Sequence, residues 1–139
     1  MAPPPQDIEA FLDRQAVALL GSVDADGVPH IKAMLAPRRR EGLATFYLTT
    51  NTSSRRVAHF RANPAASLYF FDGAAFRGLL FTGTMAVLTD AASKRLIWRE
   101  GDEMYYPAGV DDPDYCVLRF TARAGRAYAG FASVDFEVG

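Results

Sequence analysis

The densest chemistry in this chain lies in one uninterrupted run, Leu48 to Arg56, which reads LTTNTSSRR. A strand-like run, Leu43 to Leu48, leads into it, and a helical run from about Ser53 to Asn63 leads out. Asn51, Thr52 and Ser53 are all good N-caps, because their side chains can satisfy the orphan amide donors of a first helical turn. Arg55 and Arg56 then fall where the partial positive charge of the helix end repels cations. A bound anion resolves that conflict, since a phosphate accepts from hydroxyls, free amides and guanidinium groups together. The competing reading is a capped helix whose arginines point into water.

Other reactive side chains are scattered. His30 and Lys32 share one face of a strand-like run, where His30 can approach a ligand or sit satisfied at the surface. His59 falls on the short helix and is expected to face solvent. With only two histidines, in different elements, a catalytic metal cluster is not expected. Arg38, Arg39 and Arg40 read as a solvated, charged hairpin loop or as a grip on an acidic ligand. Asp111, Asp112 and Asp114 lack the ligand spacing of a calcium loop and read as a polar turn. Cys116 has neutral neighbours and reads as a small core residue. Trp98, Tyr105 and Tyr106 suit a planar ligand, a subunit interface or a plain core. No GxGxxG, GxxxxGK[ST] or GxSxG signature is present.

The elements that must position these residues alternate between short strands and short helices. Asp7 is expected to cap a helix over Ile8 to Arg14. Strands are expected over Ala16 to Val23, Val28 to Leu35, Leu43 to Leu48, Ala66 to Phe71 and Phe76 to Leu88. In the second of these, alternation puts Ile31, Ala33 and Leu35 on one face, with His30, Lys32 and Met34 on the other. Gly78 and Gly83 mark possible bends in the fifth strand. Asp90 is expected to cap a helix over Ala91 to Arg99, with a loop from Asp102 to Asp114 after it. Further strands are expected over Tyr115 to Thr121, Gly125 to Ala129 and Val134 to Val138. The pattern is α+β: a mainly antiparallel sheet of six to seven strands, with two or three short helices, that closure into a small barrel would protect at its edges.

Composition narrows the function classes. The chain has 139 residues, suited to one domain, and half of them are hydrophobic, enough for a packed core. A net charge of -1 leaves no nucleic-acid footprint. No apolar run approaches the ~20 residues of a membrane helix, and MAPPPQDIEAF lacks the pattern of a signal peptide. With a lone cysteine, these features point to a cytoplasmic protein without nucleic-acid or membrane partners.

The stretches DADGVPHIKAM, FYLTTNTSSRR, HFRANPAASLYFF and YYPAGVDDPDYCVLRF together make residues 11 to 138 resemble the pyridoxamine 5′-phosphate oxidase-like family, whose fold is the FMN-binding split β-barrel. The family typically carries a threonine, then a serine, then two adjacent basic residues, which Thr50, Ser54, Arg55 and Arg56 match. The last stretch is similar to the small general-stress-protein branch. The resemblance implies a single domain over residues 1–139 and a homodimer with FMN at its interface. Lys32, Ala33 and Met34 would lie along the flavin, Thr49 and Thr50 near the ribityl chain and phosphate, and Ser54, Arg55 and Arg56 around the phosphate. Trp98 and Tyr106 would be cofactor-binding aromatics contributed by the partner subunit.

Two departures qualify the resemblance. Lys32 and Pro37 stand where true oxidases carry arginine and lysine. The segment that receives the vitamin phosphate in those enzymes is missing from ASVDFEVG. Flavin binding is therefore expected without pyridoxamine phosphate oxidation. The implied function is that of an FMN-dependent oxidoreductase acting on an unidentified small-molecule substrate or electron donor. The alternatives are a non-enzymatic flavin sensor and a split barrel holding haem or a deazaflavin.

Overall fold

The computed structural model describes residues 2–139. In chain order its elements are α1 (Ile8–Asp13), β1 (Val17–Val23), β2 (Pro29–Leu35), β3 (Arg39–Glu41), β4 (Thr45–Asn51), α2 (Arg55–Ala62), β5 (Ala65–Asp72), β6 (Arg77–Leu88), α3 (Ala91–Ile97), β7 (Tyr115–Ala129) and β8 (Ala132–Phe136). Two 3₁₀ turns, Asp102–Met104 and Gly109–Asp111, break up the loop after α3. The strands form one antiparallel sheet in the order β2-β1-β5-β6-β7-β4-β3, with β8 paired to β7. Eight strands are therefore present among the described residues, not six or seven. The sheet is a split barrel that does not close, so β2 and β3 remain as edges.

The sheet wraps a core of Leu20, Phe46, Leu48, Leu68, Phe70, Leu79, Phe81, Leu118, Phe120 and Phe136, all 1% exposed or less. Phe11 and Phe60 fasten α1 and α2 to it. Burial alternates along β1, as a half-buried strand requires, whereas Phe46, Tyr47 and Leu48 at the start of β4 are all buried. A second, smaller cluster joins Ile97 of α3 to Tyr47, Tyr106, Tyr115 and Val117.

Several local expectations are corrected. Tyr115 to Ala129 is one 15-residue strand, not two, because it pairs continuously with β6. The register slips at Thr82/Gly83, where a Cβ on Gly83 would collide with the Thr121 carbonyl oxygen. That slip lets the paired strands bend and continue, so one of the two glycines read as bends does mark one. The PRRREG segment is not a free loop: Arg39–Glu41 pairs with β4, giving the sheet a short, charged edge. Asp7 makes no side-chain cap, since its carboxylate goes to Arg77 at 2.8 Å instead. The true cap of α2 is Ser54, whose hydroxyl accepts from the Val57 amide at 3.4 Å. Asp90 caps α3 as expected, accepting from the Ser93 amide at 3.0 Å. No helix among the described residues is long and apolar enough to cross a membrane.

Candidate functional site: a basic groove between the edge strand and the Thr49–Arg56 junction

The Thr49–Arg56 run is held rigidly from outside itself. Asn51, the last residue of β4, donates its side-chain amide to Asp114 at 2.9 Å. The same carboxylate accepts from the Ser53 amide at 2.8 Å, and the Thr52 amide donates to the Asp114 carbonyl at 2.8 Å. The Ser53 amide foremost, and then the Asn51 side chain, hold the Asp114 carboxyl below the usual carboxylate range. Asp114 was legible only as part of a polar turn, because its partners lie 61 and 63 residues away.

Across from this junction runs β2. A groove of about 330 Å³ separates the two, lined by Lys32, Ala33, Met34, Leu35, Thr49, Thr50, Asn51, Arg56, Tyr105 and Tyr106. That volume lies at the lower end of the range for small-molecule sites. The groove continues past Lys32 and Arg56 into a second cavity of about 220 Å³, which adds Ser22, His30, Ile31, Arg55 and His59. Seven of the ten residues singled out from sequence therefore face one groove, and Arg55 faces its extension. Ser54 sits just behind, its hydroxyl 3.5 Å from that of Thr50. Trp98 does not line the groove within one chain. It packs in the second core, its ring 5.3 Å from Tyr115 and 6.3 Å from Tyr106.

The electrostatics of the groove are one-sided. Arg38, Arg39, Arg40, Arg77 and Arg126 each pair with a carboxylate. Lys32, Arg55 and Arg56 pair with none among the described residues. Arg56 is half-buried, and among the described residues its only contact of hydrogen-bond type is a long 3.5 Å approach of Nη2 to the Thr50 hydroxyl. Its Nε is buried without any partner. Burial pushes the guanidinium pKa down, so the protein holds this cation at a cost. An anion in the groove would supply what Arg56 lacks.

The aromatic wall is positioned by a buried ion pair that sequence reading missed. Arg38 grips Asp102 bidentately at 2.8 Å and 2.8 Å, with the two side chains only 9% and 5% exposed. Asp102 also accepts from the Arg99 amide at 2.8 Å, and its carbonyl accepts from the amides of Tyr105 and Tyr106, both at 2.9 Å. Farther along, Asp112 organises the rest of the loop by accepting from the amides of Ala108 and Asp114. Lys94 braces it from α3, donating to the Asp112 carbonyl at 2.9 Å. Cys116 is fully buried, and burial pushes its thiol pKa up.

The histidines are the other surprise. His59 does not face open solvent: its Nδ1 lies 2.8 Å from the Ser22 hydroxyl, and its ring lies 4.5 Å from that of His30. His30 donates from Nε2 to Asp24 at 2.9 Å. No group of three or more metal-ligating side chains forms among the described residues.

Comparison with known proteins agrees with this architecture. Among curated proteins none matches the chain. A protein from Clostridium acetobutylicum related to general stress protein 26 of B. subtilis, of the pyridoxinephosphate oxidase family, is similar at 39% identity. The match covers 94% of this chain and 92% of that one, with a TM-score of 0.86. General stress protein 26 from Bacillus anthracis has the same fold at 15% identity, covering 93% and 95% of the two chains with a TM-score of 0.73. An F420 reductase has it at 21% identity, covering 88% and 98%, with a TM-score of 0.66. The family model for pyridoxamine 5′-phosphate oxidase matches residues 4–129, which takes in the edge strand, the Thr49–Arg56 junction and the whole groove between them; the chain belongs to that family.

Proposed function

We propose that this protein binds FMN in the Lys32–Arg56 groove and acts as an FMN-dependent oxidoreductase on a small-molecule substrate or electron donor. The observation that carries the reading is the unpaired basic trio, with Arg56 Nε buried and partnerless at the junction of the two cavities. A flavin phosphate fits that need. It would take Lys32, Arg55 and Arg56 as charged donors, with Ser54 and Thr50 supplying hydroxyls behind them. The Lys32–Leu35 backbone, Thr49 and the rings of Tyr105 and Tyr106 leave an elongated, partly apolar space for the ribityl chain and the ring system. The bound flavin would supply the electron transfer. The chain's own residues bind it, orient it and shield one side from water. No side chain in the groove is assigned as a catalytic acid or base.

The same reading makes the protein a homodimer. β2 is an edge strand, paired with β1 on one side only, and Ile31 is 77% and Leu35 57% exposed on it. This strand is also one wall of the groove, so a second copy covering it would complete the site. Trp98 and the partner's aromatics are then available to the flavin only across that interface.

The test is to add FMN, riboflavin and F420 separately to purified protein and to follow absorbance and sedimentation. Tight FMN binding by a dimer, followed by reduction of the bound flavin by a reduced nicotinamide in anaerobic buffer, is the expected result. Binding of FMN without any turnover would make the protein a flavin-binding module. Preference for F420 over FMN would overturn the cofactor assignment.

A further inference from the structure

The cavity beyond Arg56 holds an imidazole pair that an anion site of this kind does not need for binding alone. Its lining comes from three elements. β1 gives the Ser22 hydroxyl, β2 gives His30 and Lys32, and α2 gives Arg55, Arg56 and His59. β5, flanking the same strands, presents only Ala65, Ala66 and Ser67. Among the described residues, the one carboxylate paired with these histidines is Asp24, in the β1–β2 turn. It accepts from the Asp26 and Val28 amides at 2.9 Å each and from His30 Nε2 at 2.9 Å. Because Asp24 only accepts, Nε2 of His30 carries a hydrogen, and in the neutral ring Nδ1 is bare. His59 spends its Nδ1 on Ser22 and keeps Nε2.

Two positive charges on rings 4.5 Å apart would repel each other. Lys32, Arg55 and Arg56, which line the same cavity, add to that repulsion while no anion sits among them. A dianion among them reverses the field. We infer that His59, backed by His30, is a further donor to the flavin phosphate and that the pair takes up one proton from solution as the phosphate binds. Proton and phosphate then bind cooperatively, each strengthening the other by the same factor. The inference rests on the phosphate-binding reading of this groove.

The wild-type protein tests it without any variant. FMN and riboflavin are titrated calorimetrically at pH 7.5 in two buffers of different ionisation enthalpy. FMN binding should consume up to about one proton, and riboflavin none. His59→Gln keeps a hydrogen-bonding side chain and should abolish the uptake while weakening FMN roughly fivefold or more, with riboflavin unchanged. His30→Asn is the second variant, and should reduce the uptake in the same direction. FMN binding with no proton uptake, or with uptake that survives in His59→Gln, overturns the inference. If neither flavin binds, the flavin reading has failed, and inorganic phosphate becomes the probe, followed by NMR of the histidine rings. Ring resonances of both histidines that move toward the protonated form with added phosphate support the imidazole role. Rings indifferent to phosphate overturn it.

Discussion

Replacing Arg56 with methionine should improve the empty protein and spoil the site, and the two effects can be sized separately. Arg56 is a half-buried cation with a partnerless Nε and one 3.5 Å contact to Thr50. It also lies in the first turn of α2, which has no acidic residue to offset it. A buried unsatisfied donor costs about 1–3 kcal/mol, and a cation at a helix N-terminus about 0.3–1 kcal/mol. Against that, Arg56→Met gives up a weak hydrogen bond but keeps most of the aliphatic stem. A net gain of about 1 kcal/mol is expected, raising Tm by about 3 °C in a chain of this size. The flavin side runs the other way. A hydrogen bond to a charged group contributes about 1.5–3 kcal/mol, so FMN affinity should fall roughly tenfold to a hundredfold or more. Riboflavin, which lacks the phosphate, should bind Arg56→Met as it binds the wild type. Differential scanning calorimetry of the empty protein and fluorescence titration with both flavins read the two effects. Equal losses for FMN and riboflavin would refute the phosphate role. An empty variant less stable than wild type by 1 kcal/mol or more would refute the claim that the arginine is held at a cost.

Three further outcomes follow from the geometry. Asp102→Asn breaks the buried pair with Arg38 and should destabilise by about 3–5 kcal/mol at neutral pH, read by urea denaturation. The Arg38 guanidinium beside Asp102 holds its carboxyl below the ordinary value, so this stability is fully present above about pH 4 and is lost as pH falls through the lower folded-state value. The gap between wild type and variant should therefore close in acid, and a gap that widened there would contradict the assignment. Gly83→Ala drives a methyl group into the Thr121 carbonyl at the register slip and should cost about 1–3 kcal/mol, whereas Gly27→Ala, open on every side, should cost only its positive-φ strain. Cys116 should resist iodoacetamide at pH 8 in the native state and react only on unfolding, checked by mass spectrometry with and without urea.

What was legible in the sequence was mostly local. The LTTNTSSRR run announced itself because hydroxyl caps and misplaced cations are neighbours along the chain. Most strands could be placed because apolar and β-branched runs alternate with turn residues along the chain, although that pattern misses the short β3 and splits β7 in two. What stayed hidden depends on residues far apart. Nothing near His30 points to His59, and Ser22 gives no sign of meeting either. Arg38 sat in a run of three arginines that looks like a solvated turn. Only the fold shows that Arg38 is buried against Asp102, 64 residues on, and that Arg40 reaches back to Glu9 and Asp13. Likewise, Tyr115 to Ala129 looked like two strands because Arg123, Ala124 and Gly125 weaken the pattern. The pairing of that stretch with β6 overrides this. Trp98 packs against Tyr106 and Tyr115 within its own chain, a neighbourhood that comes from residues 8 and 17 positions on.

The groove's walls come from residues 32–35, 49–51, 56 and 105–106, and the Arg38–Asp102 clasp helps place the last of these. Eight of those ten residues fall within the stretch 32–56, yet β2 and β4, which carry seven of them, are separated in the sheet by β1, β5, β6 and β7 and meet only when the whole sheet has formed. A partly folded chain therefore offers a ligand nothing to hold, and docking must wait until the last long-range contacts have closed. Any molecule that settles there will act as a lock rather than as a template. It should prolong the lifetime of the native state in proportion to its occupancy, while leaving the rate of refolding where it was.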